Sequence, residues 1–98
     1  MALLDLLGRR WALRILWELR EGDSLTFRDL QARSGDLSSS VLNDRLRELR
    51  EAGIVAATPS AGYQLTPAGH TLLQALEPLD GWAKDWARRP DLPGPEKS

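Results

Sequence analysis

The sequence contains no cysteine and one histidine, His70, and these shortages exclude several kinds of site. Without thiols the chain can form no disulfide, thiolate metal site or cysteine nucleophile, and it cannot sense oxidants through a thiol. A single histidine supplies no zinc cluster. Glu77 and Asp80 lie three residues apart, but no nucleophile accompanies this common surface pattern. We therefore expect no enzyme activity, no metal site and no cofactor.

Long apolar runs are also missing, because charged residues interrupt the most hydrophobic segments. A membrane-spanning helix needs about 18 or more apolar residues in succession, so we expect neither such a helix nor a signal peptide, and a cytoplasmic location by default. The 98 residues are 42% hydrophobic and 28% charged, with a net charge of −1. This length and composition indicate one small soluble domain with a single core.

Near the N-terminus, apolar residues occur at intervals of three and four, which is the pattern of an amphipathic helix. The spacing predicts a short helix or turn over residues 2–7. A main helix is predicted from about Arg9 to Glu21, where Gly22 provides a C-terminal cap. Thr26, with Asp29 three residues later, resembles a weak capping box and predicts a second, short helix.

A third helix is predicted to begin after Ser38, whose hydroxyl can cap it, and to run to Ala52 or Gly53. Leu37 before the cap and Leu42 inside the helix have the spacing of a hydrophobic staple. The following β-prone residues, 54–65, surround a turn that contains proline, serine and glycine, which predicts a β-hairpin.

A last helix is predicted to start at Thr66 and Pro67, which have the pattern of an N-cap followed by a proline at the first helical position. Pro78 and Gly81 are expected to kink or divide it. The order helix, helix, helix, hairpin and helix is the plan of a winged helix-turn-helix. The predicted fold is thus α+β, mostly α, with a two-stranded β-hairpin wing. We assign residues 1–89 to this domain and residues 90–98 to a flexible, proline-rich tail.

The third helix has two different faces at about 100° per residue. Its inner face carries Leu42, Leu46, Leu49 and Gly53, and its outer face carries Ser40, Asn43, Asp44, Arg47 and Glu51. Asn43 can pair with adenine, and Arg47 can reach guanine or a phosphate. The candidate DNA-binding residues are Ser38, Ser39, Ser40, Asn43, Asp44, Arg45 and Arg47. The alternative is an ordinary solvated face on which Arg47 pairs with Glu51.

Three segments, "LLGRRWALRILWEL", "TFRDLQARSGDLSSSVLNDRLRELREAGIV" and "YQLTPAGHTLLQAL", resemble successive blocks of the HxlR-type transcriptional regulators, which are related to the MarR regulators. The similarity covers about residues 4–88, and residues 38–55 are its most specific part. The resemblance implies a homodimer that joins through its N- and C-terminal helices and places two recognition helices in successive major grooves of a pseudo-palindromic site. It favours repression over activation.

The sequence departs from the HxlR-type pattern in two ways. Many members carry a cysteine near the N-terminal helix, and its absence here means that thiol sensing is not implied. The wing, "ATPSAG", has no lysine or arginine, and no basic residue occurs between Arg50 and Lys84. With a pI of about 5.8, we expect modest, salt-sensitive DNA binding that depends on dimerisation. The alternative function is a protein-interaction or dimerisation module that keeps the fold without binding DNA.

Four tryptophans in so short a chain could form either an interface or the wall of a small-molecule pocket. Trp82 and Trp86 lie four residues apart and could close over the partner's N-terminal helix, so we favour the interface. Whether a small-molecule effector exists stays open. The predicted dimer-interface residues are Leu3, Leu4, Leu7, Trp11, Leu79, Trp82 and Trp86.

Overall fold

The computed structural model describes residues 2–35 and 37–88 and has the predicted winged helix-turn-helix order. Its elements are α1 (Ala2–Leu7), α2 (Ala12–Glu18), α3 (Phe27–Arg33), α4 (Ser39–Glu51), β1 (Val55–Thr58), β2 (Gly62–Leu65) and α5 (Pro67–Arg88). The predicted tail, residues 90–98, lies outside the described residues. None of the described helices combines the length and hydropathy of a membrane-spanning segment.

One apolar core joins all of these elements except the far end of α5. Its buried residues are Leu6, Ile15, Leu16, Leu19, Leu25, Leu30, Leu37, Leu42, Leu46, Leu49, Ile54, Val55 and Leu65. Each fully buried leucine or isoleucine contributes about 1.5–3 kcal/mol of transfer free energy. The predicted inner face of α4 is confirmed for its three leucines, but Gly53 is exposed, because it follows the helix with a φ of +77°.

The first long helix is shorter than the sequence predicted. α2 begins at Ala12 rather than Arg9, because Trp11 has a left-handed φ of 76° that a helix cannot contain. The chain turns there instead, and the Ala12 N–H donates to the Arg9 carbonyl at 3.2 Å. At the other end, a turn in which the Gly22 N–H donates to the Leu19 carbonyl at 3.3 Å replaces the predicted last turn.

The predicted caps of the helix-turn-helix are confirmed. The Thr26 hydroxyl accepts from the Asp29 N–H at 3.1 Å, and the Asp29 carboxylate accepts from the Thr26 N–H at 3.2 Å, a reciprocal capping box. The Ser38 hydroxyl accepts from the Val41 N–H at 3.3 Å and so caps α4. The two staple residues, on either side of this cap, are both buried in the core.

The wing is an antiparallel hairpin, paired from Val55 with Leu65 to Thr58 with Gly62. A third piece of extended chain joins it, because the backbone N–H and carbonyl groups of Leu25 and Tyr63 exchange hydrogen bonds of 2.9 and 2.8 Å. Gly62 makes this approach possible, since a Cβ there would lie 2.4 Å from the Leu25 carbonyl oxygen.

The last helix is one continuous element that begins where the sequence predicted. Thr66 caps it by accepting from the Gly69 N–H at 3.0 Å, and its own hydroxyl donates to the Gly53 carbonyl at 2.7 Å. The predicted division at Pro78 or Gly81 is wrong, because α5 runs without interruption from residue 67 to 88. Pro78 removes one backbone donor on an exposed part of the helix, and water can satisfy the carbonyl left without that donor.

Candidate nucleic-acid interface

The outer face of α4 is an exposed polar surface built on a buried base. Three leucines of α4 are at most 1% exposed, so the helix is held firmly and the opposite side must face solvent. Six of the seven predicted DNA-binding residues lie in this exposed region: Ser38, Ser39, Ser40, Asn43, Asp44 and Arg47. Short hydroxyl side chains at its N-terminal end permit close approach of a phosphate to the backbone N–H groups there.

Arg45 is the exception among the predicted contacts. Its side chain is 15% exposed, its Nε donates to the Arg10 carbonyl at 3.1 Å, and its Nη1 lies 2.6 Å from a Glu48 carboxylate oxygen. The Arg9 guanidinium lies 3.8 Å from the same oxygen. In this structure Arg45 ties α4 to the turn between α1 and α2, and its role at DNA stays a prediction.

Arg47 lies between two carboxylates on the outer face. Its guanidinium is 3.3 Å from Asp44 and 4.0 Å from Glu51, so the pair that the solvated-face alternative predicted is present. All three side chains are more than half exposed. Such surface pairs contribute about 0–1 kcal/mol to folding stability. A base edge or a phosphate can therefore replace the carboxylates as partners of Arg47 with little loss of stability.

The turn before α4 is held in place by the side chain of Gln31, for which the sequence predicted no role. The Gln31 amide of α3 donates to the Leu37 carbonyl at 2.8 Å and to the Ser39 hydroxyl at 3.1 Å. This pair of bonds joins the two helices of the motif across their turn. No sequence pattern marks Gln31 for that role, because both partners follow the turn whose path decides the contact.

A small cleft lies where α4 meets the wing. It has a volume of about 190 Å³ and is lined by Asn43, Asp44, Leu46, Arg47, Arg50 and Tyr63. The predicted DNA-binding residues include neither Arg50 nor Tyr63. The position of Arg50, one turn after Arg47, indicates that it can contact a phosphate or form an ion pair. Tyr63 could not be found from the sequence, because only the folded hairpin brings it beside α4.

A second exposed surface is apolar and lies at the far end of α5. Leu79 is 56% exposed and Trp82 is 62% exposed. The Trp82 and Trp86 rings stack, with centroids 6.3 Å apart and an interplanar angle of 11°. Near the other end of the chain, Leu3 and Leu4 of α1 are exposed as well.

The remaining predicted interface residues, Leu7 and Trp11, are partly buried and pack against the core of their own chain.

A larger cleft, of about 300 Å³, lies between α2 and α5. Most of its lining residues are apolar, and they include Leu13, Trp17 and Leu73. The sequence did not predict Leu13 and Trp17 as lining residues, because they lie outside the buried apolar stripe of α2. Among the described residues, no three histidines or carboxylates are grouped in a way that could hold a metal ion.

The profile of the HxlR-like helix-turn-helix family matches residues 6–91. The chain belongs to this family. The family resemblance and the fold predicted from the sequence are therefore confirmed, and the protein is a transcriptional regulator of the helix-turn-helix type, a class that binds DNA.

Known proteins similar to this HxlR-like chain agree with that assignment. An uncharacterized HTH-type transcriptional regulator of Bacillus subtilis, YvaP, is 35% identical over 88 residues, which cover 84% of this chain and 81% of that protein. A possible HxlR family transcriptional factor from Thermoplasma volcanium superposes with a TM-score of 0.81 at 26% identity, covering 91% of this chain and 84% of the other. The quinone-bound YodB of B. subtilis gives a TM-score of 0.76 at 29% identity, with 84% and 90% covered.

Proposed function

We propose that this regulator is a homodimeric repressor that reads a pseudo-palindromic DNA site by placing α4 of each protomer in the major groove. The observation that carries the proposal is the exposed polar face of α4, opposite three fully buried leucines. Asn43 would contact adenine, Arg47 would contact guanine or a phosphate, and Asp44 would accept from a cytosine amino group. Ser38, Ser39 and Ser40 would approach the backbone, and Arg45 would hold the angle of α4.

The dimer would form through the apolar end of α5 and the N-terminal helix. The described part of the chain measures 49 × 27 × 27 Å, and α5 with its 22 residues is about 33 Å long. Exposed aromatic and leucine side chains are the residues that interfaces cover. The proposed contacts are Leu3, Leu4, Leu7, Trp11, Leu79, Trp82 and Trp86. A two-fold axis would then present two copies of α4 to one duplex.

A regulator of this kind acts on the chromosome, so we propose a cytoplasmic location. Thiol-based sensing is not part of the proposal, because the chain has no cysteine. The α2–α5 cleft adjoins the proposed dimer surface, since Leu79 lines it.

The first test is binding of a fluorescent duplex that carries the protein's own upstream region, compared with an unrelated duplex of equal length over several salt concentrations. We expect tighter binding to the upstream duplex, with an affinity that falls as salt rises. Equal, weak binding to both would place the operator elsewhere. No binding at low salt would contradict the DNA-binding function and favour the protein-interaction alternative.

Arg47→Ala tests the face of α4 directly. We expect DNA affinity to fall by roughly 5- to 150-fold, the range for loss of one base contact. The melting temperature should barely change, because an exposed substitution alters stability by about 0.5 kcal/mol or less. Arg20→Ala, which removes an arginine from the turn after α2, is the control and should bind like the wild type. Unchanged affinity of the Arg47 variant would remove this residue from the interface.

A further inference from the structure

The cleft between α4 and the wing contains hydrogen-bond donors that none of the described residues uses. Within the part of the chain that the structure describes, the Tyr63 hydroxyl and the Asn43 amide have no hydrogen-bond partner, and Arg50 has no ion-pair partner. All three residues line the same 190 Å³ space. Unused donors that line one cleft can bind an acceptor from outside the chain.

The charge of the cleft favours an anion. Two guanidinium groups and one carboxylate line it, and the carboxylate, Asp44, lies 3.3 Å from the Arg47 guanidinium. That pair largely neutralises itself, which leaves Arg50 as the uncompensated charge. Arg50 therefore provides the electrostatic attraction, and Tyr63 adds a neutral donor from the wing.

Tyr63 is held in place more firmly than an ordinary wing residue. Its backbone exchanges two hydrogen bonds with Leu25, and its side chain packs partly against the core. Gly62, at its N-terminal side, has a φ of +98° and no room for a Cβ. The hydroxyl is thus presented from a rigid support, which lowers the entropy lost on binding.

We propose that this cleft binds one phosphate group of the DNA backbone, with Arg50 and Tyr63 as its ligands. The proposal rests on the proposed function and adds a contact to it. The wing would then take part in DNA binding through a neutral hydroxyl, although it carries no lysine or arginine.

The phosphate is assigned to DNA because the cleft adjoins the base-reading face. Asn43 and Arg47 belong both to the outer face of α4 and to the lining of the cleft. A helix in the major groove has the phosphates of the groove edge beside it, and contacts to them fix its register. A phosphate in this cleft would fix α4 at the side that faces the wing.

The test uses a mixed-sequence duplex, because a phosphate contact does not depend on the operator. Arg50→Gln, Tyr63→Phe and the control Arg20→Gln are compared with the wild type from about 50 to 200 mM salt. Arg20→Gln removes the same charge from the turn after α2, outside the cleft between α4 and the wing. Tyr63→Phe keeps the ring that packs against the core and removes only the hydroxyl.

The two cleft variants are expected to change DNA binding in different ways. Arg50→Gln should lower the slope of log affinity against log salt by about 0.9 for each protomer bound, because one phosphate contact is lost. Tyr63→Phe should lower affinity roughly three- to tenfold with an unchanged slope, because a neutral donor releases no counterion. Arg20→Gln should leave the slope unchanged. If either cleft variant binds with wild-type affinity and slope, the shared phosphate site is wrong.

A second measurement separates DNA from free phosphate. The chain has one tyrosine, so a sample labelled only at the tyrosine Cζ carbon gives a single ring resonance in NMR. We expect this resonance to shift with the duplex and to stay unchanged with millimolar inorganic phosphate. A shift with inorganic phosphate but not with DNA would assign the cleft to a small phosphorylated ligand and contradict the proposal. If the wild type binds no duplex at low salt, the proposed function itself fails.

Discussion

The two halves of α5 differ sharply although they belong to one continuous helix. In the first half Gly69 is buried, and a Cβ there would lie 2.3 Å from the Ile54 carbonyl oxygen. In the second half Trp82 is 62% exposed, and a Cβ on Gly81 would point into open space. The apolar pattern of the helix therefore continues beyond the core of its own chain. A stripe of large apolar residues without a core beneath it indicates a surface that another molecule covers.

The largest effect is expected where the first half of α5 meets the wing. Gly69→Ala would press a methyl group against the Ile54 backbone and the Leu65 side chain, which lie 2.3 and 3.2 Å from the added atom. Overpacking of this kind costs about 1–3 kcal/mol, and the rigid carbonyl places this site near the upper end. Chemical denaturation would measure the change. Wild-type stability would show that α5 can move away from the hairpin freely and would weaken the contrast between its halves.

A smaller effect on folding, but a clear one on assembly, is expected from Trp82→Ala. Loss of a central interface tryptophan raises the dissociation constant of a dimer roughly 30-fold, equivalent to about 2 kcal/mol. Sedimentation over a range of protein concentrations would show the shift toward monomer. Lys84→Ala, two residues away and paired only with Asp80 in the described structure, is the matched control. An unchanged dimer would remove the Trp82 ring from the interface.

The smallest effect is expected from Gly81→Ala, which compares directly with Gly69→Ala in the same helix. Alanine is favoured over glycine inside a helix by about 1 kcal/mol, and the space around Gly81 is open. We expect a small rise in the melting temperature and an unchanged dissociation constant of the dimer. A weaker dimer would instead show that the partner approaches the helix backbone at Gly81, which would locate the interface more closely.

The caps and faces of the helices could be predicted because their causes are local. Thr26 with Asp29, and Ser38 with Val41, satisfy backbone groups within one turn of chain. The burial of the three leucines of α4 could be predicted from their spacing at the helical period. The start of α2 could not be predicted, because the left-handed φ of Trp11 accompanies packing of this residue against the core, whose position depends on the whole fold.

In the candidate site, too, the local features could be predicted from the sequence and the long-range contacts could not. The outer face of α4 follows from the period of its leucines, and the Arg47–Glu51 pair follows from four-residue spacing. The burial of Arg45 against the turn before α2, 35 residues earlier, does not. Tyr63 joins α4 only because the hairpin folds back along it, a contact between elements that no local pattern encodes.

The sequence by itself determined the family, the order of elements, the helix caps and the polar face that α4 presents, since each depends on residues within a few positions of one another. Tertiary structure alone decided which arginines stay available, which apolar residues find a core and which side chains share a cleft. The physical reason is that burial, ion pairing and cavity shape depend on residues far apart in sequence. Their proximity is set by the packing of whole helices and the hairpin.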